Sequence, residues 1–154
     1  MHVLDFESCM ALLTTNTGLA ARFMDHAAPE IAVPSVVRSE LLLAARLSQR
    51  PIENTRLIES FLEPLVSLPF DEPCAEEYAL LRADLSSNLS GNPVGNGPGN
   101  SFSSNLGSSN LETSNLGTTD LITAATALAN QLSILTVNPR AFAHLSRLKL
   151  AVLE

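Results

Sequence analysis

Four positions place an oxygen-bearing side chain at or beside the end of a short apolar run: Asp5 after His2-Val3-Leu4, Glu40 in the helix that follows Ile31-Ala32-Val33, Asp120 at the start of another helix, and Asn138 just past Ser133-Ile134-Leu135-Thr136. Mg²⁺ prefers hard oxygen ligands, keeps several of its waters, and needs only one or two carboxylates held directly, with further carboxylates fixing the waters. An ion so held orients an attacking water, polarises a phosphoryl oxygen and stabilises the leaving oxygen. Each acid also has a structural explanation. The helix dipole favours an acid at the position of Asp120, and Glu40 has the alternative of a half-exposed helix residue. Asp5 is harder to dismiss, because an acid closing a Val-Leu strand at a sheet's carboxyl edge faces a crevice.

The elements that must position these groups alternate along the chain. His2 to Asp5 reads as a first strand, followed by Ser8 to Leu13 and an amphipathic stretch from Gly18 to Ala27. Ile31 to Val33 is a second strand, stopped by Pro34, with Ser35 placed to cap the helix that carries Glu40. Pro51 opens a third helix with Leu57, Ile58, Phe61 and Leu62 on one face, and Val66 to Leu68 makes a third strand. A longer helix is predicted from Asp71 to about Ser87. Thr119 to Asn130 forms another, capped by Thr118 or Thr119, then a strand over 133–136 and a final strand from Lys149 to Leu153. Strands alternating with helices predict an α/β sandwich around a mostly parallel central sheet, with its ligand site outside the strands' carboxyl ends.

Between about 86 and 117 runs SSNLSGNPVGNGPGNSFSSNLGSSNLETSNLG, nearly devoid of charge and echoing SNL at Ser87, Ser104, Ser109 and Ser114. Such a composition cannot bury enough apolar surface to order itself, so the tract reads as a surface insertion, with the recurring Leu able to dock part of it weakly. At 154 residues and 45% hydrophobic content the chain suits one domain, residues 1–154, interrupted by that tract. Asp5 and Glu7 interrupt what would be a secretory signal, and no apolar run approaches the roughly 18 residues of a membrane span. A soluble, cytoplasmic protein without membrane contact is expected. Cys9 and Cys74 stand apart with no CxxC pattern, so two reduced thiols in or near the core are expected rather than a zinc site. The net charge of −7 argues against nucleic-acid binding through a basic face, yet leaves room for an enzyme that reaches phosphate through a divalent cation, and it suits a basic protein partner.

Four strings, VLDFES, VVRSELLLAARLS, TTDLITAATALANQLSILTVNPRAF and the closing LKLAVLE, resemble in order and spacing the motifs of PIN nucleases of the VapC toxin type. The likeness covers roughly residues 1–87 and 117–154. It implies a PIN-like three-layer sandwich, and it makes Asp5 similar to the family's first metal-binding Asp, Glu40 to its helix Glu, and Asp120 to the Asp that completes the direct shell. Asn138 falls at the fourth site position, with Thr136 beside it as polar support. The resemblance implies an Mg²⁺- or Mn²⁺-dependent endoribonuclease, the toxin component of a toxin-antitoxin system, with a cognate antitoxin that blocks the site and commonly a homodimer. Two departures stand out. Phe6-Glu7 replaces the family's usual Thr-Asn, and Glu7 either joins the metal shell or spoils it; Thr119 replaces the usual Asn before Asp120.

The alternative is therefore a catalytically impaired PIN domain that retains only antitoxin binding or dimerisation. A phosphoacceptor domain would want a pair of acids after the first strand and a Lys near the end; the first strand offers a single Asp, and Lys149 is the only lysine. A metal-free ribonuclease would use two of His2, His26 and His144, none of which sits in a motif. Neither a GxSxG elbow nor a glycine-rich phosphate loop after a strand is present.

Overall fold

Val3 and Leu4 are adjacent in sequence and wholly buried, yet they belong to different cores. Successive residues of a strand point to opposite faces, so this pair alone requires a sheet covered on both sides. Ile134 and Leu135 repeat the pattern. In a computed structural model, which describes residues 1–14, 23, 30–90 and 116–153, the sheet has five strands in the order β3-β2-β1-β4-β5. They are β1 (His2–Leu4), β2 (Ile31–Pro34), β3 (Val66–Leu68), β4 (Ser133–Thr136) and β5 (Leu150–Val152). Every pairing is parallel, which sharpens the expected mostly parallel sheet, and the register sets His2 opposite both Ile31 and Ser133.

Five helices complete the described fold: α1 (Phe6–Thr14), α2 (Ser35–Leu47), α3 (Pro51–Leu62), α4 (Glu72–Ser90) and α5 (Thr118–Ala129). One core joins Leu4, Ile31, Val33 and Leu135 to Cys9, Val37, Leu41, Ile58 and Leu62, which places α1, α2 and α3 on the same side. The other joins Val3 and Ile134 to Leu81, Leu85, Leu121, Ala124 and Phe142, so α4 and α5 cover the opposite side. This is the three-layer sandwich expected of the sequence. Phe23 is buried in the first core with its ring 6.1 Å from that of Phe61; the rest of the predicted Gly18–Ala27 stretch lies outside the described residues. Cys9 and Cys74 are both buried free thiols.

Several boundaries differ from expectation, each for a local reason. Strand β1 stops at Leu4 and α1 begins two residues earlier than predicted, at Phe6, because Asp5 caps it. Pro34 does not stop β2 but is its last residue, and it also serves as the N-cap of α2, with φ −61° and ψ 146°. The fixed φ of proline satisfies both positions, so Ser35 becomes the first helical residue and makes no cap. Helix α4 begins at Glu72, with the carboxylate of Asp71 accepting the Cys74 N–H at 3.3 Å. It runs to Ser90, five residues into the tract read as unable to order itself; elongating an existing helix costs far less than nucleating one. Residues 91–115 lie outside the described ones. Leu116, the last leucine of the SNL echo, is buried in the second core.

At its far end α5 closes with Gln131 in the left-handed region, φ 57°. The Leu132 N–H reaches the Ala127 carbonyl at 2.8 Å and the Gln131 N–H reaches that of Leu128 at 3.0 Å. This paired closure usually employs glycine at the left-handed position; here Gln131 takes it, and the helix ends within one residue of the expected Asn130. The turn delivers the chain directly into β4.

Candidate active site

In a parallel sheet of this order the chain leaves β1 toward β2 and β3 on one side, while β4 and β5 lie on the other, so connections diverge between β1 and β4. Ligands of open α/β sheets bind at that divergence, outside the strands' carboxyl ends. Asp5 follows β1 there and Asn138 follows β4. The start of α5 and the second turn of α2 come to the same edge. Asp5, Glu7, Glu40, Asp120 and Asn138 line one cleft of about 230 Å³, together with Phe6, Thr119, Ala141 and Phe142. All four residues singled out from sequence therefore share one cleft, and Glu7 shares it with them.

Asp5 is the most firmly held. It is buried, and as the N-cap of α1 it accepts the Ser8 N–H on Oδ1 at 2.8 Å. Its Oδ2 accepts the Thr136 hydroxyl at 2.6 Å, a bond spanning 131 residues. The Asn138 N–H in turn donates to Thr136 Oγ1 at 3.0 Å. One hydroxyl thus ties the acid after β1 to the amide after β4. Thr136 stands behind the cleft rather than on its wall.

Ser8 was not singled out from sequence. It is wholly buried, and its Oγ accepts the Val137 N–H at 3.0 Å, a second tie between the ends of β1 and β4. Half of its role was legible, since an Asp three residues before a helical Ser is a capping arrangement. The other half depends on a contact 129 residues away, which spacing cannot show.

Asp120 is the third residue of α5, and its Oδ2 accepts the Gly117 N–H at 3.1 Å. The cap of α5 is therefore Gly117 rather than Thr118 or Thr119, and the acid supplies the capping bond from inside the helix. A Cβ on Gly117 would meet Asp120 Oδ2 at 3.3 Å, a tight approach that glycine avoids. Burial, opposed by the Gly117 N–H and reinforced by the charges of Asp5 and Glu7, holds the Asp120 carboxyl above its usual range. Burial, with the charge of Asp5 adding, pushes the Cys9 thiol far up, so it stays protonated.

The raised Asp120 carboxyl has a stability consequence. A carboxyl whose folded pKa exceeds its unfolded value binds protons more readily when folded, so stability falls as pH rises through that interval, and the penalty is fully present at neutral pH. Asparagine keeps an oxygen for the Gly117 N–H and removes the charge. Asp120→Asn is expected to raise Tm in EDTA at pH 7, with the gain shrinking toward pH 4. A gain independent of pH, in melts at both values, would contradict the electrostatic cause.

Among the described residues no three His, Cys, Asp or Glu side chains are gathered as a ready-made metal cage. The donor set nonetheless fits a hydrated hard cation. It consists of carboxylate and amide oxygens, no Lys, Arg or His appears among the described lining residues, and the acids repel one another. An ion needing one or two direct carboxylates and several waters suits a cleft of this kind better than a closed tetrahedral site would. His2 lies at the opposite end of β1, with Nδ1 2.7 Å from Ser133 Oγ, and His144 borders a separate depression beside Arg147. Neither lines the acidic cleft, and His26 lies outside the described residues.

The family model described as PIN domain matches residues 9–148. No curated protein matches the chain in sequence. Similar solved structures include VapBC2 from Rickettsia felis bound to a DNA fragment from their promoter, at 21% identity and TM-score 0.73, covering 99% of this chain and 98% of that one. DNA-bound VapBC from Salmonella typhimurium is similar at 20% identity and TM-score 0.76, with 99% and 98% covered. FitAcB from Neisseria gonorrhoeae is similar at 20% identity and TM-score 0.69, with 97% and 96% covered. At these identities the likeness establishes the shared fold. Among the described residues no helix is long and apolar enough to cross a membrane.

Proposed function

The chain belongs to the PIN-domain family, and from that premise we propose that it is a divalent-metal-dependent endoribonuclease acting as the toxin of a toxin-antitoxin pair. The observation that carries this reading is the convergence of Asp5, Glu40, Asp120 and Asn138 on one cleft at the sheet's switch point. In this reading Asp5 and Asp120 hold Mg²⁺ or Mn²⁺ directly, while Glu40 and Asn138 hold its waters. Bound there, the cation supplies the Lewis acidity that makes water a nucleophile and polarises the phosphoryl group.

The chain's own part is positioning. The α1 cap and the Thr136 hydroxyl together fix the Asp5 carboxylate, so that its remaining lone pairs have one orientation. Thr136 also restrains the backbone that presents Asn138. Asp120 is held by the Gly117 N–H through one oxygen, which leaves the other for the cleft. A cleft of acids with no basic residue among its described lining repels phosphate on its own, so substrate affinity in this reading depends on the cation. RNA hydrolysis would leave 5′-phosphate and 3′-hydroxyl ends.

The similar structures are VapBC and Fit complexes, and a cognate antitoxin is part of the same reading. The chain's excess negative charge suits a basic segment of such a partner. A homodimer and a cytoplasmic location belong to it as well. A second reading, an impaired domain that keeps only antitoxin binding or dimerisation, is favoured by Phe6 and Glu7, which both line the cleft.

The two are separated by incubating total RNA with the purified protein in Mg²⁺ or Mn²⁺, in EDTA, and with an Asp5→Asn, Asp120→Asn double variant prepared identically. Metal-dependent cleavage that the variant lacks supports the nuclease. Equal cleavage by both proteins, or none by a folded wild type, sinks it.

A further inference from the structure

The four motif positions supply three negative charges, because Asn138 is neutral. The cleft nevertheless holds four acids. Glu7 is the second residue of α1, two positions after Asp5, and lines the cleft with Asp5, Glu40 and Asp120. Its side chain is exposed at the cleft wall and has no hydrogen-bond or ion-pair partner among the described residues. It also lies close enough to Asp120 for its charge to act on that carboxyl. An acid in the first turn of a helix is favoured by the dipole, but the dipole is indifferent to whether the side chain enters the cleft.

We propose, resting on the nuclease reading above, that Glu7 is the fourth carboxylate of the cation site, restoring beside Asp120 the negative charge that Asn138 does not provide. With both oxygens of Asp5 already accepting protein hydrogen bonds and one oxygen of Asp120 likewise engaged, Glu7 is a carboxylate with both oxygens uncommitted. Its exposure suits a group that holds waters of a hydrated ion rather than one that displaces them. On this account the replacement of the family's usual Asn by Glu7 is a relocation of charge within the site, and not a lesion.

The test is Mn²⁺ binding to the intact chain by titration calorimetry, with Tm measured in EDTA and in saturating Mn²⁺, for wild type, Glu7→Gln, Glu7→Asp and Asp5→Asn. None of these readouts requires turnover. Glu7→Gln is expected to bind Mn²⁺ about tenfold more weakly, the order expected when one charge is removed near a divalent ion, and to lose part of the Mn²⁺-induced gain in Tm. Glu7→Asp, which keeps the charge, is expected to fall between it and wild type.

Equal Mn²⁺ affinity in Glu7→Gln and wild type overturns the assignment and leaves Glu7 as a helix N-terminal acid. Tighter binding in Glu7→Gln overturns it in the other direction, as an acid that spoils the site. A folded wild type that binds no Mn²⁺, indistinguishable from Asp5→Asn, overturns the metal-dependent reading itself and the role of Glu7 with it.

Discussion

Asp5→Asn and Asp5→Ala are both expected to reduce metal-dependent RNA cleavage by at least about a thousandfold, the scale on which a principal electrostatic group in an active site is felt, yet to differ sharply in stability. Asp5 performs two tasks that the structure makes separable. Its Oδ1 caps α1 through the Ser8 N–H, and its Oδ2 receives the Thr136 hydroxyl. Asparagine keeps an oxygen for the cap but removes the charge that a divalent cation requires, and it sets an NH2 donor where Oδ2 accepted the Thr136 hydroxyl, so one buried bond is given up. Alanine removes both oxygens and the charge, leaving the buried N–H of Ser8 without its cap acceptor and the Thr136 hydroxyl without its own, at roughly 1–3 kcal/mol for each group left unpaired. Thermal melts in EDTA should therefore place Asp5→Asn below wild type by the one lost Thr136 bond and Asp5→Ala lower still, while cleavage assays at saturating Mg²⁺ show both inactive. Substantial cleavage by a folded Asp5→Asn would remove Asp5 from the chemistry and leave it as a cap alone.

The same duality, local cap and distant tie, separates what was legible in the sequence from what was not. Buried apolar runs were legible because a sheet covered on both faces leaves no polar alternation: Val3-Leu4, Ile31-Ala32-Val33 and Ile134-Leu135 are all buried, and all lie in strands. The residues gathered at the cleft were legible for a related reason. Once strand ends are known and the sheet is parallel, Asp5 and Asn138 must emerge at the same edge, and helices entering or leaving that edge bring Glu40 and Asp120 with them.

The remainder was settled by contacts that sequence spacing does not encode. The choice of Pro34 and Gly117 over Ser35, Thr118 and Thr119 as caps was hidden because serine and threonine are the commoner cap residues. In α5 the capping bond comes from Asp120 inside the helix, so no side chain is needed at the cap itself. Helix α4 overran its predicted end because adding residues to an existing helix costs little, and Ser86 is accommodated inside it with its hydroxyl bonded to the Arg82 carbonyl at 2.8 Å. Ser8 illustrates the limit most clearly, a small hydroxyl residue that acquires its importance from Val137, more than a hundred residues distant. Thr136 was expected as polar support beside Asn138, and what spacing could not show was its bond to Asp5.

Thr136 is also where the second large effect is expected. Valine has nearly the shape of threonine and suits a buried strand, so Thr136→Val isolates the hydroxyl. That hydroxyl donates to Asp5 Oδ2 and accepts the Asn138 N–H, and its loss strands a buried acceptor and a part-buried donor. Roughly 1–3 kcal/mol for the buried Asp5 oxygen and about 1 kcal/mol for the part-buried Asn138 N–H put the cost at about 2–4 kcal/mol. For a domain of this size that corresponds to a fall in Tm of about 5–15 °C. Thr136→Ser keeps both bonds and gives up one buried methyl, on the order of 1 kcal/mol, so it is expected to melt only a few degrees below wild type.

Activity should track stability in this series, because Asp5 and Asn138 lose a shared restraint and not their own chemistry. Cleavage by Thr136→Val is expected to drop about tenfold or more at saturating Mg²⁺ while remaining metal-dependent, with Thr136→Ser close to wild type, reflecting how steeply rate depends on the placement of catalytic groups. The informative comparison is between the two losses. If Thr136→Val lost stability but cleaved at the wild-type rate below its melting range, the hydroxyl would be a structural tie alone, and the orientation of Asp5 in the cleft would have to come from the α1 cap by itself.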